Sequence, residues 1–420
     1  MARTADPVDI IDRLDAPTES FPAAPLLVDE RAPLRRALLD ANPTTRRMEN
    51  LDALRILAMF VIVVTHITQP YLDHWSDARP YGGLYQTLFS LNVAGRFGVP
   101  CFLMISFFIY WHQLYDKNRT WGELLIRRLK RLVPAFVCWS LFYFALHKVL
   151  AVYELNVDPG PLGDRLNWKD PGVWREILLL GRAHEHLYYL PVVICSLLLI
   201  PLLALFWRRP AIAWAFIAAT LLAWTIVAYG VAFLPETTRA GQLVNRAMWV
   251  WRNFLALPLL IFPLLGFMCA GESRWRNFIA HSPTSLWVGL LVFGLALHVA
   301  ETLFILDRGT SDASWGQALA GLKVGRFVSA VPIFVLILRY PLMRDPLPKV
   351  SHHAFGLHFM HPAIIIALTI IESRLFGGRL TNWDTFVLPL LAINLALTLV
   401  ITLALCLLIS RFKRLEFLVV

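Results

Sequence analysis

NLDALRILAMFVIVVTHITQPY, residues 50–71, is the stretch on which the reading of this chain turns. From Ala53 onward it is long enough to cross a bilayer, which takes about 20 predominantly apolar residues, yet it carries Arg55 and His66 inside it. A charged or protonatable side chain within a membrane helix costs enough free energy to be read as functional. The two residues are eleven positions apart. At about 100° and 1.5 Å per residue, that spacing returns to within about 20° of the same helix face and climbs about 16 Å. One face of the first span therefore presents a guanidinium near its start and an imidazole near mid-depth. This arrangement suits a donor with an anionic head and a long arm ending in a reactive carbonyl. Arg55 would hold phosphate through planar, charge-assisted hydrogen bonds, and His66 would meet the acyl carbon or deprotonate an incoming hydroxyl. The competing reading has Arg55 reaching lipid headgroups and His66 bonded to a neighbouring helix.

The rest of the chain is made of similar material. Of 420 residues, 57% are hydrophobic and 16% charged, against about 25% charged in an average soluble chain. Polar side chains are too few to cover a soluble body of this size, so lipid must cover part of it. With 22 Gly and 5 Cys the chain is neither collagen-like nor a disulfide scaffold. The net charge of +10 is read as topology and not as a nucleic-acid partner, because Lys and Arg accumulate in cytoplasmic loops of membrane proteins. Cys101, Cys138, Cys195, Cys269 and Cys406 lie in or beside apolar runs, and none forms a CxxC pair.

Ten apolar segments are expected to span: 53–72, 93–112, 132–153, 187–207, 211–234, 253–271, 285–306, 322–339, 354–372 and 385–410. Arg96, Lys323 and Arg326 sit at the starts of the second and eighth, and an amphipathic or re-entrant segment is the alternative around Gly82–Asn92. The fold class is thus an all-α polytopic membrane bundle. Residues 1–48, interleaving prolines and charges without periodicity, read as a disordered cytosolic tail ahead of a membrane domain over 49–420. The first 50 residues hold no apolar signal-peptide core, so the first span is expected to be retained. One set of alternate loops carries Arg127, Arg128, Lys130 and Arg131, then Arg208 and Arg209, Arg274 and Arg276, Arg339 and Arg344, and Arg411, Lys413 and Arg414. The opposite loops mix signs, which places both termini in the cytoplasm.

Arg55, ten residues, then His66 resembles the signature of the acyltransferase type 3 family, and four later segments resemble its motifs in order. In GRFGVPCFLMIS, Gly98, Val99, Pro100, Phe102 and Ser106 match, with Phe107 where the family usually has Gly. In RRLKRLVPAF the matches are Arg128, Arg131 and Pro134. HLYYLPVV resembles the family's His-Leu-Trp-Tyr-Leu run, with His186 in place and Tyr188 at the Trp. SHHAFGLHFMHPAII retains His361 and Pro362, with His358 at the usual Tyr. The resemblance runs from about residue 49 to the C terminus.

It implies a multi-pass enzyme of the cell inner (cytoplasmic) membrane that moves an acyl group, usually acetyl, from cytosolic acetyl-CoA to a hydroxyl of a cell-surface or lipid-linked glycan. On that basis His66 is the candidate catalytic base or acyl-accepting nucleophile; either role needs a neutral imidazole. Arg55, Arg128 and Arg131 are the candidate ligands of the coenzyme A phosphates; without the resemblance, Arg128 and Arg131 would be assigned to topology alone. Ser106, His186, His361 and Glu301 are candidates for substrate binding. His298 and Glu301, three apart on the seventh span, share a face and either orient an acceptor or pair two helices. His184 and His186 are expected near the external face. No HxxxH or HExxH spacing calls for a metal. The alternative function is a transporter or flippase for a lipid-linked sugar, which calls for symmetrical halves with interrupted helices, and the sequence displays neither.

Overall fold

The computed structural model describes residues 49–76, 83–153, 167–234, 237–253, 256–308, 323–340, 350–376 and 387–419, and among these no strand occurs. In chain order the helices are α1 Glu49–Ser76, α2 Gly83–Ala94, α3 Gly98–Tyr115, α4 Trp121–Val152, α5 Pro171–Leu180, α6 Tyr189–Leu198, α7 Ile200–Trp207 and α8 Pro210–Phe233. They continue as α9 Arg239–Asn253, α10 Ala256–Leu259, α11 Ile261–Gly271, α12 Ser273–His281, α13 Thr284–Arg308, α14 Val324–Arg339, α15 Ala354–Phe376 and α16 Val387–Ser410. The tail expected over 1–48 lies outside the described residues.

Seven helices are long and apolar enough to cross a membrane, and nine if two bent pairs each count as one span. The protein is therefore a polytopic helical membrane protein, in line with the bundle of about ten spans expected, and the described residues hold seven to nine candidate spans by length and composition. The segment expected at 187–207 breaks at Leu199, where α6 and α7 meet at 64° and Pro201 stands in the first turn of α7. The sixth segment turns through 83° after Gly271 into α12, whose sequence SRWRNFIAH is too polar to continue through lipid. The eighth, α14, has only 16 residues. The second is longer than expected, because α2 runs through a short 3₁₀ turn, Gly95–Phe97, into α3 and makes Tyr85–Tyr115 one span of 31 residues.

α1 lies at the centre, packed on α2, α3, α14, α15 and α16. Its span is 56% buried inside the protein, whereas α16, at 22%, is mostly left to lipid. That contrast explains the sequence: α1 tolerates polar residues because its surroundings are protein, while α16 reads VLPLLAINLALTLVITLALCLLIS. At one end of the bundle Asn50 Nδ2 donates to Leu338 O (3.3 Å) and Arg339 donates to Ser282 O (2.7 Å), so α1 begins where α14 ends and α13 starts. α4 also begins there, with a reciprocal cap between Thr120 and Glu123.

Two glycines decide close approaches. Gly181 ends α5 at φ 69°, a left-handed conformation that glycine adopts freely, and a Cβ there would lie 2.6 Å from Leu187 O. This reversal sends the chain into the 3₁₀ turn Glu185–Tyr188, which carries His186. Gly325 lets α14 press on α13: a Cβ would meet the backbone of His298 at 2.3 and 2.4 Å. Gly325→Ala is therefore expected to force the two helices apart and lower stability by about 1–3 kcal/mol. An unchanged unfolding midpoint of the purified variant would contradict that contact.

Candidate acyl-transfer site

The two residues that opened the sequence reading lie at different depths of one polar column. At the end where α1 begins, Arg55 forms an ion pair with Asp52 (2.8 Å); the Arg55 side chain is 28% exposed and that of Asp52 2%. Asp52 was not singled out by sequence, although its i, i+3 spacing carries the signal. The buried carboxylate holds the guanidinium on the inner face of the bundle while leaving it reachable. The α4 arginines arrive at the same place. Arg128 Cζ stands 4.8 Å over the Tyr110 ring, a cation–π contact that orients a planar cation. Arg131 is within electrostatic reach of Arg128, Arg55, Tyr110 and Glu416. Arg55, Arg128 and Arg131, which are 73 to 76 positions apart as Arg55 to the other pair, are thus brought together.

Ser106 lies one layer deeper. Its side chain is hydrogen-bonded to that of Tyr189, which lies within electrostatic reach of both Tyr110 and Arg55. Tyr189 then touches His358 (ring centroids 5.4 Å apart), and Phe102 flanks both, at 6.1 and 6.4 Å. This aromatic collar opens onto six of the chain's 12 histidines. The His358 ring is 5.5 Å from that of His186, His186 is 5.9 Å from His361, and His361 is 5.2 Å from His66. His184 lies 4.9 Å from His186 and 5.4 Å from His147, and the two histidines of the 184–186 turn share a hydrogen bond of 3.0 Å. His66 is half-buried, whereas His186, His358 and His361 are packed. His184 and His186, expected at the external face, are inside the cluster. Among the described residues no three His, Cys, Asp or Glu side chains converge as ligands for a metal ion.

Local structure fixes this arrangement. Pro362 has no N–H to give to the ladder of α15, and the opened turn is filled from α4: Tyr143 Oη donates to Phe359 O (2.6 Å) and accepts from Ala363 N (3.2 Å). The same Tyr143 ring packs on His184 and His186, at 4.7 and 4.9 Å. His361 Nδ1 donates to Leu357 O at 2.9 Å; a carbonyl only accepts, so the proton sits on Nδ1 and Nε2 is the basic nitrogen. The break in the ladder at Pro362 and the histidine cluster are thus parts of one feature.

Beyond His66, toward the other end, the polar residues continue. Asn92 Nδ2 donates to Thr65 O (2.8 Å) and Thr68 Oγ1 (2.9 Å), and Arg96 donates to Asn92 Oδ1 (2.8 Å) and Gln69 Oε1 (3.1 Å). Arg96 is close enough to His66 to act on it electrostatically. Glu301, a candidate for substrate binding, is drawn to the first turn of α14, where Gly325 N donates to its carboxylate at 2.8 Å. It serves there as an anion at a helix N-terminus and does not join His66, His186 and His361.

Comparison with known proteins decides what such a column belongs to. A family model, Acyl_transf_3, described as an acyltransferase domain, matches residues 48–411. The chain belongs to the acyltransferase type 3 family. It is a membrane acyltransferase, and the arginine and histidine layers lie within the matched region. No curated protein and no solved structure matches the chain.

Proposed function

We propose that this acyltransferase moves an acetyl group from cytosolic acetyl-CoA to a hydroxyl of a cell-surface or lipid-linked glycan, with His66 as the base. One observation carries the reading: half-buried His66 lies between a layer of three arginines and a separate polar layer containing Arg96, each on its own side. Arg55, Arg128 and Arg131 form the donor end. They lie at the lysine- and arginine-rich side of the bundle, which is the cytosolic side of an inner-membrane protein. Guanidinium groups match phosphate oxygens in shape and charge. A pantetheine arm spans the roughly 16 Å from Arg55 to His66, passing Ser106 and Tyr189.

At His66 a ring nitrogen takes the proton of the acceptor hydroxyl as its oxygen attacks the thioester carbonyl. The new C–O bond forms, the C–S bond breaks, and the proton passes to the departing coenzyme A sulfur. His361, its Nδ1 proton committed to Leu357 O, has Nε2 available to accept an N–H and so orient its neighbour His66. Holding donor and acceptor at one imidazole is where most of the acceleration arises. Purified protein mixed with labelled acetyl-CoA and a glycan acceptor is expected to transfer label to the glycan, and to hydrolyse acetyl-CoA slowly without it. Absence of any coenzyme A binding would overturn the proposal.

A further inference from the structure

α16 is almost wholly apolar and mostly left to lipid, yet it turns one polar stripe inward: Asn394, Thr398 and Thr402 follow each other at four-residue spacing and all three are buried. Thr402 is satisfied within its own helix, donating to Thr398 O. Asn394 reaches across helices. Its Nδ2 donates to Tyr71 Oη of α1 (3.3 Å), and its side chain is hydrogen-bonded to Glu372 of α15, which also acts electrostatically on Tyr71. Joining helices is the usual work of such residues in a membrane bundle, but it does not account for the whole seam. Glu372 is 7% exposed, and among the described residues its Oε1 has no hydrogen-bond partner, nor has Thr398 Oγ1. A carboxylate inside a membrane protein is costly, and a buried oxygen left without a donor adds to that cost and calls for an explanation.

The seam stands on the far side of His66 from the donor arginines. Tyr71 is sixteen residues along α1 from Arg55, a climb of about 24 Å, and five residues beyond His66. α16 runs antiparallel to α15: Cys406 Sγ meets Met360 Sδ (3.6 Å) near the start of α15, so Asn394 and Glu372 lie at the opposite end of the pair. On α15 Glu372 follows His361 by eleven residues, which returns to within about 20° of the same face, and the His361 ring is the one beside His66. The face of α15 turned to the reaction centre therefore carries a carboxylate about 16 Å farther along. Tyr71, half-buried, is the reachable member of the seam.

We infer that Glu372, Asn394 and Tyr71, with Thr398 one turn along α16, form a hydroxyl-binding subsite for an uncharged sugar of the acceptor glycan. The inference rests on the proposal above that the acceptor hydroxyl reaches His66 from the side away from the donor arginines. Glu372 Oε1 accepts from sugar hydroxyls in charge-assisted bonds. Tyr71 Oη, already accepting from Asn394, keeps its proton to donate, and Thr398 Oγ1 does either. A carboxylate repels an acidic sugar, so the sugar held here is neutral. Because the seam's own buried groups are left unpaired by an analogue that lacks the matching hydroxyl, such an analogue is rejected.

The test is titration of sugar probes into the full chain in lipid nanodiscs, with coenzyme A saturating so that the donor arginines are occupied. The neutral probes are the methyl glycosides of glucose, galactose, mannose and N-acetylglucosamine; methyl glucuronide is the anion and methyl glucosaminide the cation. At least one neutral glycoside is expected to bind, about tenfold or more tighter than methyl glucuronide. Glu372→Gln is expected to weaken that binding about tenfold or more, the equivalent of one lost hydrogen bond to a charged group, and Tyr71→Phe about fivefold, as for a neutral one. Coenzyme A affinity at the opposite end is kept in both variants, which reports the fold. If no neutral glycoside binds the unaltered protein, or if methyl glucuronide binds as tightly, the subsite is overturned, whether or not any variant folds. Glycoside affinity that survives Glu372→Gln also overturns it, and so does tighter binding of methyl glucosaminide than of every neutral glycoside, which would assign the carboxylate to an ammonium. If a neutral glycoside binds and Glu372→Gln releases it but labelled acetyl never reaches a glycan, the subsite stands and the acetyl-transfer reading falls. Acetyl transfer to a glycan with a KM unmoved by Glu372→Gln has the opposite consequence.

Discussion

His66→Ala is expected to lower acyl transfer by about 10²–10⁴-fold, the range over which a positioned general base acts, while acetyl-CoA still binds. The ring stands half-buried, 5.2 Å from that of His361 and within electrostatic reach of Arg96. Its removal takes away the proposed proton acceptor but leaves Arg55, about 16 Å along the helix, and its neighbours Arg128 and Arg131 undisturbed. A loss of kcat with unchanged donor affinity is the signature of a group that acts in the transition state. His66→Gln, which keeps a hydrogen-bonding side chain of similar size but accepts no proton, is expected to be as inactive. Transfer at the unaltered rate in either variant removes His66 from the chemistry. A matching loss of acetyl-CoA binding would mean that the ring holds the donor and does not act as a base.

Arg55→Ala is expected to weaken acetyl-CoA binding about ten- to a hundredfold, the equivalent of one lost hydrogen bond between charged groups at about 1.5–3 kcal/mol. Asp52 holds the guanidinium in place, and in the proposed donor site Arg128 and Arg131 would share the phosphates, so one deletion is expected to weaken binding without abolishing it. Arg55→Lys keeps the charge but loses the planar fork and is expected to fall between the two. Direct titration with acetyl-CoA checks this. Donor affinity equal to the unaltered protein would assign Arg55 to Asp52 and lipid headgroups alone.

Much of this was legible before any fold was known. Arg55 and His66 belong to one helix, and on one helix spacing converts directly into angle and height. Arg128 and Arg131 also share a helix, and their motif named them as a pair. The layer around His66 was not legible in the same way. His147, His184, His186, His358 and His361 lie on three separate stretches of chain, and nothing in their local patterns indicates that a left-handed Gly181 and a hydroxyl lodged beside Pro362 bring them to one place. Glu301 shows the converse. Its position on an apolar helix left two readings open, an acceptor contact or a link between helices, and the fold shows the link, Gly325 N donating to its carboxylate. Nor does hydropathy, which measures length and polarity, reveal the 64° bend at Leu199.

By itself the sequence determined that this chain lives in a membrane, which helix faces carry charge there, and which family its ordered motifs resemble. These are properties of composition and of short-range geometry, which the chain carries wherever it folds. Only the tertiary structure decided which charges share a layer: three arginines at one end, a histidine cluster around His66, and Arg96, Lys323 and Arg326 beyond it. Which groups meet across helices depends on packing, and close approaches such as Gly325 on His298 are set by contacts between residues distant in sequence. That is why the arginines of α1 and α4 were readable from motifs, while the histidine layer around His66 emerged from the fold.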